Sequence, residues 1–159
     1  MNLKEYQEIN LAAPCGFYCG TCRHYLAREK GLLRERNLKH GCKGCRIQDK
    51  NCAWVKKDCA LLRKKEIDFC FECKGFPCAN LMKLDQRHSI NDKVSLIDNS
   101  LRIRKIGAKQ WLQEQEDKWR CPKCEGNICI IDRECYDCGY EIDWRKETGY
   151  LYDKSLPQQ

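Results

Sequence analysis

A chain of 159 residues with 33% charged residues and 15 cysteines has room for one domain, or for one domain with a small appendage. Once cysteine is taken out of the 42% hydrophobic fraction, the ordinary apolar residues make a thin core, so cross-links are expected to supplement it. No apolar run approaches the ~20 residues a helical membrane span needs, and an odd number of cysteines excludes complete intrachain disulfide pairing.

Metal is the better candidate for the cross-links. The start of the chain, M-N-L-K-E-Y-Q-E-I-N, has no apolar signal core, which points to a reducing, cytoplasmic compartment. Five C-x2-C pairs occur: Cys19/Cys22, Cys42/Cys45, Cys70/Cys73, Cys121/Cys124 and Cys135/Cys138. Two thiolates at that spacing can curl around one tetrahedral ion, as in structural zinc sites. The net charge of +7 invites a nucleic-acid reading. Yet each zinc held by four thiolates carries net negative charge, and three such sites would bring the total down to about +1. Residues 121–159 moreover carry 5 Lys and Arg against 8 Asp and Glu, the wrong sign for a surface that tracks phosphates.

In chain order, residues 1–13 read as a short helical or irregular lead-in, with Leu3, Tyr6, Ile9 and Leu11 able to pack on the body. Residues 14–23, P-C-G-F-Y-C-G-T-C-R, place Cys15, Cys19 and Cys22 close together. The pattern over 24–39 predicts a helix with Tyr25, Leu26, Leu32, Leu33 and Leu38 roughly on one face and Gly31 able to bend it. A G-C-K-G-C knuckle follows at 41–45, then Cys52 and Cys59 around one or two helical turns. A short amphipathic helix is expected over 59–69, then Cys70, Cys73 and Cys78, the last behind Phe76-Pro77. Two helices are expected over 79–87 and 92–118, with a break at 89–91 and Asn91 or Asp92 as N-cap. Val94, Ile97, Leu101, Trp111 and Leu112 form the stripe of the longer one, which Gly107 can interrupt. From 121 onward, two C-x2-C pairs ten residues apart, with Ile128, Ile130, Ile131, Tyr140 and Ile142 suited to short strands, spell a zinc ribbon.

The expected fold class is thus a small metal-stabilised α+β protein. A cysteine-rich zinc-binding module with short helices occupies 12–80, a helical segment packs on it over 81–120, the zinc ribbon spans 121–144, and a polar tail with Tyr150 and Tyr152 occupies 145–159. Cys121, Cys124, Cys135 and Cys138 are the ribbon ligands, closed to substrate and therefore structural, with Cys129 left over as a buried strand residue. The ten N-terminal cysteines (Cys15, Cys19, Cys22, Cys42, Cys45, Cys52, Cys59, Cys70, Cys73 and Cys78) would supply two four-cysteine sites with two spare, in a grouping that spacing leaves open. Two to three zinc ions are expected in all, with an iron–sulfur cluster as the alternative, because ligand identity alone does not separate the two. His24 and His40 are expected as exposed residues rather than ligands, and His88 as a helix-end residue. The C-x3-C-x2-C of Cys15, Cys19 and Cys22 also occurs in radical S-adenosylmethionine enzymes, but nothing after Cys22 reads as their partial barrel. There is no Gly-rich phosphate loop, nucleophile elbow or H-E-x-x-H, so the sequence leans away from an enzyme. The basic stretch Arg102, Arg104, Lys105, Lys109, Lys118 and Arg120 reads as a solvated helix face.

The segments A-P-C-G-F-Y-C-G-T-C-R-H-Y at 13–25, G-C-K-G-C at 41–45, C-A at 59–60 and C-F-E-C-K-G-F-P-C at 70–78 resemble a cysteine-rich bacterial and archaeal family, domain of unknown function 3795. G-A-K-Q-W-L-Q-E-Q at 107–115 and W-R-C-P-K-C at 119–124 look like its longer members, which append a ribbon. The resemblance implies a small cytoplasmic zinc-binding protein and no particular activity. The expected role is binding, with another protein as partner. An iron–sulfur or thiol redox accessory is the alternative, and nucleic-acid binding is third.

Overall fold

The computed structural model describes residues 1–48 and 57–143. Cys52 and the tail at 145–159 lie outside the described residues. Helices dominate: α1 Leu3–Glu8, α2 Arg23–Glu29, α3 Cys45–Gln48, α4 Ala60–Arg63, α5 Ala79–Asn91, α6 Leu96–Ile106 and α7 Ala108–Lys118. Tight 3-10 turns occupy Cys19–Thr21 and Cys70–Glu72, and the sheet is one antiparallel pair, β1 Ile128–Cys129 with β2 Glu134–Cys135, in the register Ile128 to Cys135. The protein is therefore α-rich with a short two-stranded sheet, rather than an even α+β mixture.

α1 starts on a capping box: Asn2 Oδ1 accepts from the Glu5 amide at 3.0 Å and the Glu5 carboxylate accepts from the Asn2 amide at 2.6 Å. Ile9 is buried behind it, whereas Leu3 faces solvent at 74% exposure instead of packing on the body. The helix expected over 24–39 stops at Glu29, because Gly31 and Asn37 adopt positive φ (70° and 54°) that an α-helix does not allow. The apolar residues nonetheless meet: Tyr25, Leu32, Leu33 and Leu38 pack around Leu26, Ala27, Cys129 and Tyr136. The 59–69 helix shortens to α4 for a related reason, since Lys65 has φ 57°.

The break expected at 89–91 falls later. α5 runs through to Asn91, Asp92 is its C-cap, and the N-cap of the next helix is Ser95, whose Oγ accepts from the Asp98 amide at 3.2 Å. The long helix expected to Lys118 is two helices, because Gly107 at φ 86°, ψ 154° leaves helical space entirely. α5 packs on α6 and α6 on α7. Ile103 fills the core position expected of Leu101, which is exposed. Trp111 is fully buried, with Tyr18 edge-on at 6.2 Å, and the buried Trp119 indole N–H donates to Gln115 Oε1 at 3.3 Å.

The N-terminal loop and the ribbon share this core. Gly16 (φ 87°) sits where a Cβ would collide with the Leu96 carbonyl oxygen and Ser100 Oγ, so only glycine lets the loop lie on the start of α6. Asn99 Nδ2 donates to the Gly16 carbonyl at 2.9 Å and holds it there. One apolar cluster runs from Ile9 through Leu81, Leu96 and Trp111 to Ile128 and Ile142. In the ribbon only residues 128–129 and 134–135 pair as strands. Ile130 and Ile131 lie in the turn, and Tyr140 and Ile142 attach outside the paired strands, the Cys135 amide donating to Tyr140 O and the Ile142 amide to Arg133 O, each at 2.8 Å. Among the described residues no helix is long and apolar enough to cross a membrane.

Candidate metal centre

Helix α7 delivers the chain to the ribbon. The Ile128 amide donates to the Trp119 carbonyl at 3.2 Å, which brings β1 back beside the first knuckle. The first knuckle turns so that amides point at sulfur: Lys123 N donates to Cys121 Sγ and Gly126 N to Cys124 Sγ, both at 3.4 Å. Glu125 takes a positive φ of 62° to make room for that second contact, and Gly139 takes 73° after the second pair. The two pairs then face each other. Cys121 Sγ lies 3.7 Å from Cys138 Sγ, and Cys124 Sγ lies 3.6 Å from Cys135 Sγ. All four sulfurs fall within 4.8 Å of one another, the one such group among the described residues.

That geometry fits a single tetrahedral ion. Zinc–sulfur bonds of about 2.3 Å place tetrahedral sulfurs about 3.8 Å apart. Burial pushes the Cys121 thiol up, but the Lys123 and Cys124 amides and the Cys138 and Cys135 thiols outweigh it and bring it down to about 7. Burial pushes Cys135 up to about 12. Four sulfurs this close share protons unevenly. Cys121 and Cys135 are buried, Cys138 is partly covered and Cys124 is exposed, so the site sits at a surface with its back to the core.

The N-terminal cysteines form no second group of that tightness among the described residues. Cys19 Sγ donates to Cys45 Sγ at 3.2 Å, and the Gly44 amide donates to Cys42 Sγ at 3.4 Å. Burial pushes the Cys22 thiol up to about 11, with the thiols of Cys42 and Cys129 beside it. Cys129 is fully buried in β1, as a leftover strand residue should be. Around Cys70 stand Cys15, Cys59, Cys73 and Cys78. His24 and His40 are exposed, and a His24 ring nitrogen lies 3.0 Å from the His40 carbonyl. His88 sits in the last turn of α5 with Nδ1 2.7 Å from Asp92 Oδ2.

One residue that no spacing rule singles out ties these loops together. Arg46 donates from Nε to the Ala12 carbonyl at 2.9 Å and from Nη1 to the Asp68 carbonyl at 3.1 Å, with its guanidinium 4.2 Å over the Phe69 ring. Burial lowers its proton affinity, although it stays a cation. The basic face on α6 and α7 is partly neutralised: Arg102 forks onto Glu114 at 3.0 and 2.5 Å, Lys109 pairs with Glu8, and Arg120 pairs with Asp117 at 3.1 Å.

Fold and site together define a small, α-rich, cysteine-rich protein with a four-cysteine group able to hold a metal ion. Residues 11–83 match the family described as "Protein of unknown function (DUF3795)". The ribbon and the segments at 107–115 and 119–124 lie beyond the matched residues. No curated protein and no solved structure matches the chain.

Proposed function

We propose that this is a zinc-binding protein that acts by holding another protein rather than by turning over a substrate. The observation that supports the reading is the ribbon: four sulfurs with opposed contacts of 3.7 and 3.6 Å are spaced for one closed ion, with no coordination position left for a substrate. A closed zinc is structural, and it stabilises a presenting surface. The exposed apolar side chains Met82 and Ile90 on α5, and Ile131 in the ribbon turn, are the surface a partner would cover. Arg133, two residues on from Ile131, donates to the Asn91 carbonyl at 2.9 Å, which joins the ribbon turn to the end of α5.

Elemental analysis of anaerobically purified protein tests the metal: zinc lost in Cys121→Ser supports the reading, and full zinc retention in that variant refutes it. The binding half is tested by affinity capture with the zinc-loaded chain and with Ile90→Asp. A stoichiometric protein partner that the substitution releases is the expected result. No stoichiometric partner, or tight salt-sensitive retention of nucleic acid in its place, overturns it.

A further inference from the structure

A second cysteine assembly lies around Cys70, built independently of the ribbon. Cys59, Cys70, Cys73 and Cys78 line one cavity of about 290 Å³, walled on its apolar side by Phe76 and Leu81. The 3-10 turn that carries Cys70 is fixed from two sides. The Cys70 amide donates to the Pro14 carbonyl at 2.9 Å, and the Glu72 carboxylate accepts from the Asp68 and Phe69 amides at 2.6 and 3.1 Å. The turn leaves Cys73 at φ −75°, ψ 135°, almost the conformation of Cys22 after the Cys19 turn (φ −76°, ψ 132°). The Gly75 amide then points at Cys73 Sγ at 3.4 Å, the same amide-to-sulfur contact that Gly126 makes in the ribbon.

Cys78 closes the assembly from the other side. It is the N-cap of α5, a helix of 13 residues, and its side chain makes no capping hydrogen bond, so its sulfur is left to the cavity beside the positive end of the helix.

We propose that Cys59, Cys70, Cys73 and Cys78 bind a second thiophilic metal centre, with Cys15 as a fifth sulfur behind Cys70. Zinc and iron share the ligand chemistry. The sulfurs here are not gathered as tightly as the ribbon group, so a single ion would draw them inward.

The full chain, purified anaerobically, tests this against the ribbon. Cys73→Ser/Cys78→Ser, which changes only partly covered and exposed positions, should lose one centre and keep the ribbon metal. Cys121→Ser/Cys138→Ser should do the reverse. Acid-labile sulfide and visible absorbance lost with the first variant identify an iron–sulfur cluster, and loss of one zinc equivalent without sulfide identifies a single ion. Either loss supports the centre, whereas an unchanged metal content in the Cys73/Cys78 variant overturns it. Wild-type protein gives a second readout that needs no folded variant. Cys78 is exposed, yet as a ligand it should resist alkylation until a chelator is added. Alkylation of Cys78 at the rate of a free thiol in metal-replete protein overturns the proposal.

Discussion

In the ribbon, two C-x2-C turns face each other across a hairpin only two residues deep, and four sulfurs from within eighteen residues meet. Around Cys70 the same C-x2-C spelling does something different. Its turn hangs from Pro14, its neighbours come from Cys59 and Cys78, and the sulfurs stand further apart. The difference teaches that a C-x2-C pair fixes a local turn, while its partner pair is chosen by tertiary packing. Where the partner is close in sequence, the site closes by itself. Where it is distant, the site inherits whatever spacing the core imposes.

Removal of a ribbon ligand should have the largest effect. Structural zinc contributes on the order of 10–16 kcal/mol apparent in small domains. Cys135→Ser, or chelation, is therefore expected to unfold the ribbon and expose Trp119, seen as a red shift in tryptophan emission; unchanged emission after verified metal loss would contradict this. Trp111→Ala comes next, at about 3–5 kcal/mol by denaturant titration. Trp111 lies in the core that both regions share, so this change should lower the stability of both.

How much of this was legible in the residues follows the same division. The four-cysteine group could be read because its cysteines and the glycine after them lie within nineteen residues, 121–139. The apolar partners of residues 24–39 were legible as well, since Leu26, Leu32, Leu33 and Leu38 do cluster, but the helix drawn through them was not, because backbone reversal at Gly31 and Asn37 leaves no mark on hydrophobic spacing. The end of α5 was placed too early, and its true limit rests on Ser95 capping the next helix while also donating to Asp85 at 2.9 Å. The neighbours of Cys70 were illegible for a deeper reason: the hydrogen bond that sets them joins residue 14 to residue 70.

Gly16→Ala probes that long-range half directly. It forces a side chain into positive φ and against the Leu96 carbonyl, at a cost on the order of 1–3 kcal/mol. Amide hydrogen exchange should rise around residues 14–16 and 70–73 before it rises in the ribbon; uniform loss of protection would show that the two regions unfold as one. The smallest effect is expected at Glu114, which Arg102 holds below the ordinary carboxylate range through their hydrogen bonds. A depressed value stabilises the fold above the unfolded-state value and loses that contribution as pH falls through the folded one. Glu114→Gln should therefore lower the melting temperature slightly near neutral pH and not in acid, with the difference shrinking in high salt.

The bond from the Ile130 amide to the Thr21 carbonyl, 3.3 Å long, has a consequence in time. Thr21 is almost fully buried in the finished protein, yet during synthesis its carbonyl has no ribbon to receive it. At ~5–20 residues per second, residue 130 follows residue 21 by roughly 5–20 s. The earliest cysteines therefore emerge first and wait, unburied, for the last part of the chain to cover them. A growing chain must keep those thiols reduced, or already carrying metal, until its far end arrives.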